Sequence, residues 1–214
     1  FMEILNIEPH RYDDYSRILL QKIGVVDFIN IITYDELIEV ASEKSYEAIF
    51  VKLGIPIDKG IIDAMPSLKY IITPTTGLNH IDLGIAKSKG IKVISLKGET
   101  EFLKTVKSTA EHTWMLLLAL IRKLPHAFDD VKNYNWRREP FLGSEVGGKT
   151  LGIIGYGRLG KIVANYAVAF GANVIVNDID EQKLNYLPAE ITSVSLHELL
   201  GKSEIISIHI PSNN

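Results

Sequence analysis

Cysteine is absent from the 214-residue sequence. That excludes disulfides, a thiolate nucleophile and thiolate metal sites, and it favours a reducing, cytoplasmic setting. No metal site is assigned. No stretch carries a long run of one charge: 23 Lys and Arg stand against 26 Asp and Glu, a formal net charge of −3. A basic face for nucleic acid or an anionic membrane is therefore not expected. The longest apolar run, "WMLLLALI" from Trp114 to Ile121, falls far short of the roughly 20 residues that a membrane span needs. The start, "FMEILNIEPH", has neither the basic region nor the long apolar core of a signal peptide. Phe1 ahead of Met2 is read as an expression remnant. Internal repeats and low-complexity segments are also missing.

What is present is the composition of a folded protein, 46% hydrophobic and 23% charged,. Strand-length apolar runs alternate with helical patterns from the start. "MEILNIE", "VVDFINII", "EAIFV", "LKYIIT" and "IKVISL" read as five strands. Between them, Tyr12 to Ile23 reads as a helix with Tyr15, Ile18, Leu19 and Ile23 on one apolar face. Thr33 and Glu36 form a T-x-x-E capping box, a short helix runs from Ile61 to Met65, and another from Asn79 to Lys89 ends at Gly90. Five strands separated by helices imply a parallel sheet covered on both faces. After about Thr105 comes one long helical pattern ending at Pro125, with "WMLLLALI" as core, then a polar stretch with aromatics. A second αβ series follows: "TLGIIG", a helix from Arg158 to Phe170, "NVIVND", a capping box at Ser195 and Glu198, and "EIISIHIP". The expected class is α/β, with domains at 1–104 and 105–214.

The stretch "GKTLGIIGYGRLGKIV" contains G-x-G-x-x-G at Gly155, Gly157 and Gly160. Alone that motif is weak, but here it joins an apolar strand to a helix. Asp178 follows at the end of the next strand, 18 residues after Gly160 (178 − 160), close to the usual spacing of about 20. Gly155 permits a tight turn, Gly157 lets backbone approach a pyrophosphate, and Gly160 lets the helix pack closely. The helix N-terminus offers N–H groups and partial positive charge. Asp178 would accept from ribose hydroxyls and repel a 2′-phosphate, favouring NAD over NADP, although Asn177 and Asp180 leave that strand end polar rather than decisive.

Several stretches together resemble the D-isomer-specific 2-hydroxyacid dehydrogenases: "LKYIITPTTGLNHIDL", "GIKV", "STAEHTWMLLLALIRKLP", "FLGSEVGGKTLGIIGYGRLG" and "SIHIP". The resemblance covers essentially the whole chain and about the first two-thirds of a typical member. It implies a flavodoxin-like substrate domain, then an NAD-binding Rossmann domain that is incomplete at its C-terminus. It also implies hydride transfer between NAD(H) and C2 of a small 2-hydroxy or 2-oxo acid. Backbone around Thr76 and Gly77 would bind the substrate carboxylate, with Lys52 and Leu53 nearby. Thr75 replaces an expected glycine, which would stiffen that loop or reshape it. Thr109 would lie near the nicotinamide, Arg158 and Leu159 would meet the pyrophosphate through backbone N–H groups, and His209 and Pro211 would line the adenosine side.

The family's catalytic Arg, Glu and His are expected beyond Asn214, so no catalytic residue is assigned, and this segment alone is expected not to be competent. Arg122 and Glu111 are read as structural, and His80, His126 and His197 as exposed. Trp136, with Arg137 and Arg138, is read as an arm of a homodimer formed through the nucleotide-binding domain. An NAD-sensing corepressor on the same fold is the alternative function. A Rossmann enzyme acting on amino acids is disfavoured by the five-stranded first domain.

Overall fold

A computed structural model describes residues 1–211. The chain divides into two compact units, Phe1–Thr100 and Glu101–Asn214. In the first, β1 (Met2–Asn6) leads to α1 (Asp14–Gln21), β2 (Gly24–Phe28), α2 (Tyr34–Glu43) and β3 (Ala48–Phe50). Then come α3 (Lys59–Ala64), β4 (Tyr70–Thr73), α4 (Leu83–Ser88) and β5 (Lys92–Ser95). All five strands pair in parallel in the order β2-β1-β3-β4-β5, the flavodoxin-like arrangement. On one side Leu5, Ile49, Val51 and Ile71 pack with Leu37, Ala41, Ile61, Ile62 and Met65 in a fully buried core.

Local chemistry sets the helix starts. The Thr33 hydroxyl accepts the Glu36 N–H, and the Glu36 carboxylate reaches back to the Ile32 N–H at 2.9 Å, one residue beyond the usual capping box. The helix read from Asn79 begins only after Asp82, whose carboxylate takes the Ile85 N–H. Residues 80–82 are held instead by a bridge to Ile57: the Ile57 N–H donates to the His80 carbonyl and the Asp82 N–H to the Ile57 carbonyl. The apolar face read for α1 is also corrected. Tyr15, Ile18, Leu19 and Ile23 are exposed, and Leu20 is the helix residue that docks. Arg17 decides this. Its guanidinium donates to the Pro9 and Tyr12 carbonyls and sits 4.4 Å above the Phe28 ring, turning the opposite side of the helix to the sheet.

The second unit opens with α5 (Thr100–Lys104), α6 (Ser108–Ile121) and α7 (Leu124–Lys132). Pro125 begins α7 rather than closing a longer helix, since proline suits a first helical turn,. The break lies at Lys123, whose φ is 52°. The first part of the polar stretch after Pro125, to Lys132, is thus helical. "WMLLLALI" is only partly core: Trp114 is buried against Phe170 and Tyr166, whereas Met115, Leu116 and Leu120 are exposed. β6 (Thr150–Ile154), α8 (Arg158–Ala169), β7 (Asn173–Asn177), β8 (Ile191–Ser193), α9 (Leu196–Lys202) and β9 (Ile205–Ile208) follow. Their order, β8-β7-β6-β9, is parallel throughout, as in the first four strands of a Rossmann sheet. The three-residue β8 carries exposed Thr192 and Ser193, too short and polar to show in the pattern. No helix among the described residues is long and apolar enough to cross a membrane.

Candidate dinucleotide and anion sites

The turn after β6 is built on contacts that side chains would break. Gly155 has φ +94°, donates its N–H to the Asn177 carbonyl at 2.8 Å, and leaves no room for a Cβ, which would stand 2.6 Å from the His209 carbonyl oxygen. A Cβ on Gly160 would stand 2.1 Å from the Gly155 carbonyl oxygen, so that glycine brings α8 against the turn. Gly157 differs. It is the N-cap of α8 with no side-chain cap, and nothing in the protein lies within 4 Å of where its Cβ would be. The first N–H groups of this 12-residue helix thus have no side-chain cap, and the space beside its N-cap residue is open, which fits a pyrophosphate,.

Asp178 braces this turn from the end of β7. Its Oδ2 accepts the Tyr156 N–H at 2.8 Å, its Oδ1 accepts the Asp180 N–H at 2.9 Å, and Lys183 Nζ lies 3.0 Å from Oδ1. Burial pushes the Asp178 carboxyl upward, but the Asp180 amide, Lys183 and the Tyr156 amide together hold it below the usual carboxylate range,. Asn177, by contrast, donates to the Val194 carbonyl and fastens the loop after β8. His209 is half-buried beside the turn. Its N–H donates to the Ile154 carbonyl and its Nε2 lies 2.8 Å from Ser207 Oγ, while burial lowers its affinity for a proton. Pro211 and Thr109 are exposed, and Leu159 packs on the core. The Arg158 side chain serves a purpose the motif does not announce, donating to the Leu103 and Val106 carbonyls at 3.2 and 2.9 Å.

In the first unit, the expected substrate residues follow neighbouring parallel strands, β3 and β4, at their carboxyl ends, where open α/β sheets bind ligands. Thr76 and Gly77 are exposed and, among the described residues, their N–H groups have no partner. Lys52 is half-buried without an ion-pair partner among the described residues, and Leu53 is exposed. Thr75 ties the loop to itself, its hydroxyl donating to the Gly77 carbonyl at 2.7 Å. The buried Thr73 hydroxyl lies 3.0 Å from Thr75 Oγ1 and 3.4 Å from His80 Nε2. Because Thr75 spends its proton on Gly77, Thr73 donates to Thr75 and accepts from a neutral His80 protonated at Nε2. The expectation of an exposed His80 is thus corrected: the bridge to Ile57 draws the residue inward, its Nδ1 is buried without a partner, and burial lowers its pKa. His126 and His197 are exposed.

Of the other residues considered, Arg122 stands at the C-cap of α6 and Glu111 in its first turn, both exposed. Arg137 binds the buried Asp130, and Trp136 is 88% exposed. Sequence reasoning passed over Tyr156, Lys183 and Thr73, and with Thr73 the hydrogen bonds that join it to Thr75 and His80. Among the described residues no group of three or more His, Asp or Glu could hold a metal ion.

Residues 114–214 match the family described as D-isomer specific 2-hydroxyacid dehydrogenase, NAD binding domain. The chain is 33% identical over 165 residues to the D-3-phosphoglycerate dehydrogenase of Mycobacterium bovis, covering 77% of this chain and 30% of that one. The D-lactate dehydrogenase of Aquifex aeolicus, solved with NAD and lactic acid, superimposes with a TM-score of 0.76 at 30% identity over 99% of this chain and 61% of that one. An acyclic imino acid reductase solved with NADPH and D-Arg gives 0.75 at 30% identity, over 99% of this chain and 66% of that one. This chain therefore spans less than a third of the mycobacterial relative and under two-thirds of the Aquifex enzyme. Sequence, parallel topology and the glycine turn agree, and residues 114–214 belong to the D-isomer specific 2-hydroxyacid dehydrogenase family as its NAD-binding domain.

Proposed function

We propose that the protein transfers a hydride between NAD(H) and C2 of a small 2-hydroxy or 2-oxo acid. One observation carries the reading: an uncapped α8 N-terminus opens onto free space at Gly157, with Asp178 locked to the same turn through the Tyr156 N–H. NAD, when bound, would supply the hydride acceptor; the hydroxy acid would lose a hydride from C2 to it and its hydroxyl proton to water, and become the oxo acid. The amides of Arg158, Leu159 and Gly160 neutralise the pyrophosphate, Asp178 and His209 with Pro211 serve the adenosine end, and Thr109 the nicotinamide. The Thr76 and Gly77 amides and the Lys52 ammonium, unpartnered among the described residues, suit the substrate carboxylate, and Leu53 the apolar part of its chain. Residues 1–104 take the substrate role and 105–214 the nucleotide role. Carbonyl polarisation and proton transfer are assigned to none of these residues.

Titration of NADH with the purified protein tests this directly. Saturable enhancement of nicotinamide fluorescence is the expected result. Unchanged fluorescence up to millimolar NADH would overturn the reading. The relatives named above are dehydrogenases and a reductase, which lends the corepressor alternative no support. Homodimerisation through the nucleotide-binding unit and a cytoplasmic setting belong to the same proposal. The exposed Met115, Leu116 and Leu120 of α6 and the exposed Trp136 favour pairing there, and sedimentation velocity at micromolar protein would show the dimer.

A further inference from the structure

A carboxylate at the end of the second Rossmann strand usually receives the adenosine ribose hydroxyls. In this chain its acceptor sites are already engaged. An ionised carboxylate offers about four lone-pair sites on two oxygens. Oδ2 of Asp178 accepts the Tyr156 N–H at 2.8 Å and lies 3.3 Å from Lys183 Nζ. Oδ1 accepts the Asp180 N–H at 2.9 Å and lies 3.0 Å from the same ammonium. The two amides belong to the backbone and cannot leave without undoing the turn. Lys183 can, because its side chain is flexible and 40% exposed,.

A ribose with free hydroxyls therefore reaches Asp178 by displacing Lys183. A 2′-phosphate has the opposite requirement. It needs a cation beside Asp178, and Lys183 supplies one without giving up the carboxylate. The surrounding charge is still acidic: Asp180 Oδ2 stands 3.8 Å from Lys183 Nζ, and Glu181 lies in the same 3-10 turn. Lys183 offsets part of that field and leaves a margin in favour of the unphosphorylated dinucleotide.

We propose that Lys183 sets the dinucleotide preference, capping Asp178 so that the site accepts NADP(H) as well as NAD(H). The inference rests on the dinucleotide reading of the glycine turn. It extends that reading, since Asp178 alone would exclude a 2′-phosphate.

The test is fluorescence titration of the protein with NADH and, separately, NADPH, at low and at physiological salt. Wild type should bind both, NADH the more tightly by about tenfold or less. Lys183→Gln should weaken NADPH by about tenfold, the loss shrinking in salt, while NADH affinity is unchanged or improved because Asp178 is released. Lys183→Arg keeps the charge and should retain NADPH binding. Equal weakening of both dinucleotides in Lys183→Gln would make the residue a support of the turn and overturn the proposal, as would a wild type that excludes NADPH. If neither dinucleotide binds wild type, the glycine-turn reading itself fails and takes this proposal with it. Binding of NADH with an unaltered NADH/NADPH ratio in the variant overturns this proposal alone. Lys183 is exposed, so thermal melts of the variants should overlay wild type.

Discussion

At the scale of single residues, the three glycines of one motif do different work, and substitution separates them. Gly160→Ala drives a Cβ into the Gly155 carbonyl, backbone against backbone. It should cost roughly 2–4 kcal/mol of stability and lose NADH binding as a consequence. Gly157→Ala meets no protein atom. Its stability should stay within about 0.5 kcal/mol of wild type, while NADH binding falls by about tenfold or more because the methyl occupies the space a pyrophosphate needs. Paired chemical denaturation and NADH titration decide it. Equal loss of affinity without loss of stability in both variants would contradict the packing role of Gly160. Thr75 belongs to this scale too. The substitution was legible in "TPTTGL", but its hydroxyl bridge from Thr73 to Gly77 was not, since it depends on the turn bringing residues 75 and 77 together.

The helices and strands were largely legible as elements, and their ends and faces less so. Strands β1, β3, β4 and β5 fall within the apolar runs that announce them, and β2 begins one residue ahead of its run, at Gly24, because strands of a parallel sheet need little polar alternation,. Helix α1 shows the opposite case. Its sequence carries an apolar stripe at Tyr15, Ile18 and Leu19, yet Arg17 on the other side finds two carbonyls and an aromatic face and sets the roll. Arg158 likewise joins two elements. Its guanidinium holds the Leu103 and Val106 carbonyls where α5 gives way to α6. Arg158→Ala should cost about 1.5–3 kcal/mol and speed amide hydrogen exchange selectively across residues 103–108. NADH affinity should hold within about threefold, because the pyrophosphate is read by backbone amides. A large affinity loss with unchanged exchange would instead place the guanidinium on the nucleotide.

For the whole molecule, pH dependence follows from groups in both units. Burial lowers the pKa of His80 and of His209 below the ordinary 6.5. Between their folded values and 6.5 the unfolded chain binds more protons, so stability is full above that range and declines as pH falls through it. The carboxyls of Asp27, Asp58 and Asp178 lie below their ordinary 3.8 when folded: hydrogen bonds led by Lys44 lower the first and by Tyr34 the second, and the amide and lysine contacts of Asp178 outweigh its burial. Their contributions are present above 3.8 and vanish as pH drops through the folded values. Urea midpoints should therefore agree at about pH 7.5 and 8.5, drop by about pH 5.5, and drop again by about pH 3.5. His80→Asn should flatten the first step for the first unit, and an unchanged profile would refute the assignment.

The sequence by itself determined the two α/β units, the parallel character of their sheets, the glycine turn and the acid that follows it. These depend on periodicity and short-range spacing, which are local properties of the chain. Only the tertiary structure decided which partners those residues take. It closed Asp178 onto Tyr156, Asp180 and Lys183, drew His80 inward beside Thr73, and turned the apolar stripe of α1 to the surface. Each of these rests on groups that come together only when strands stack or a loop is pulled to a neighbouring bridge, and on hydrogen bonds whose satisfaction outweighs the local hydrophobic pattern.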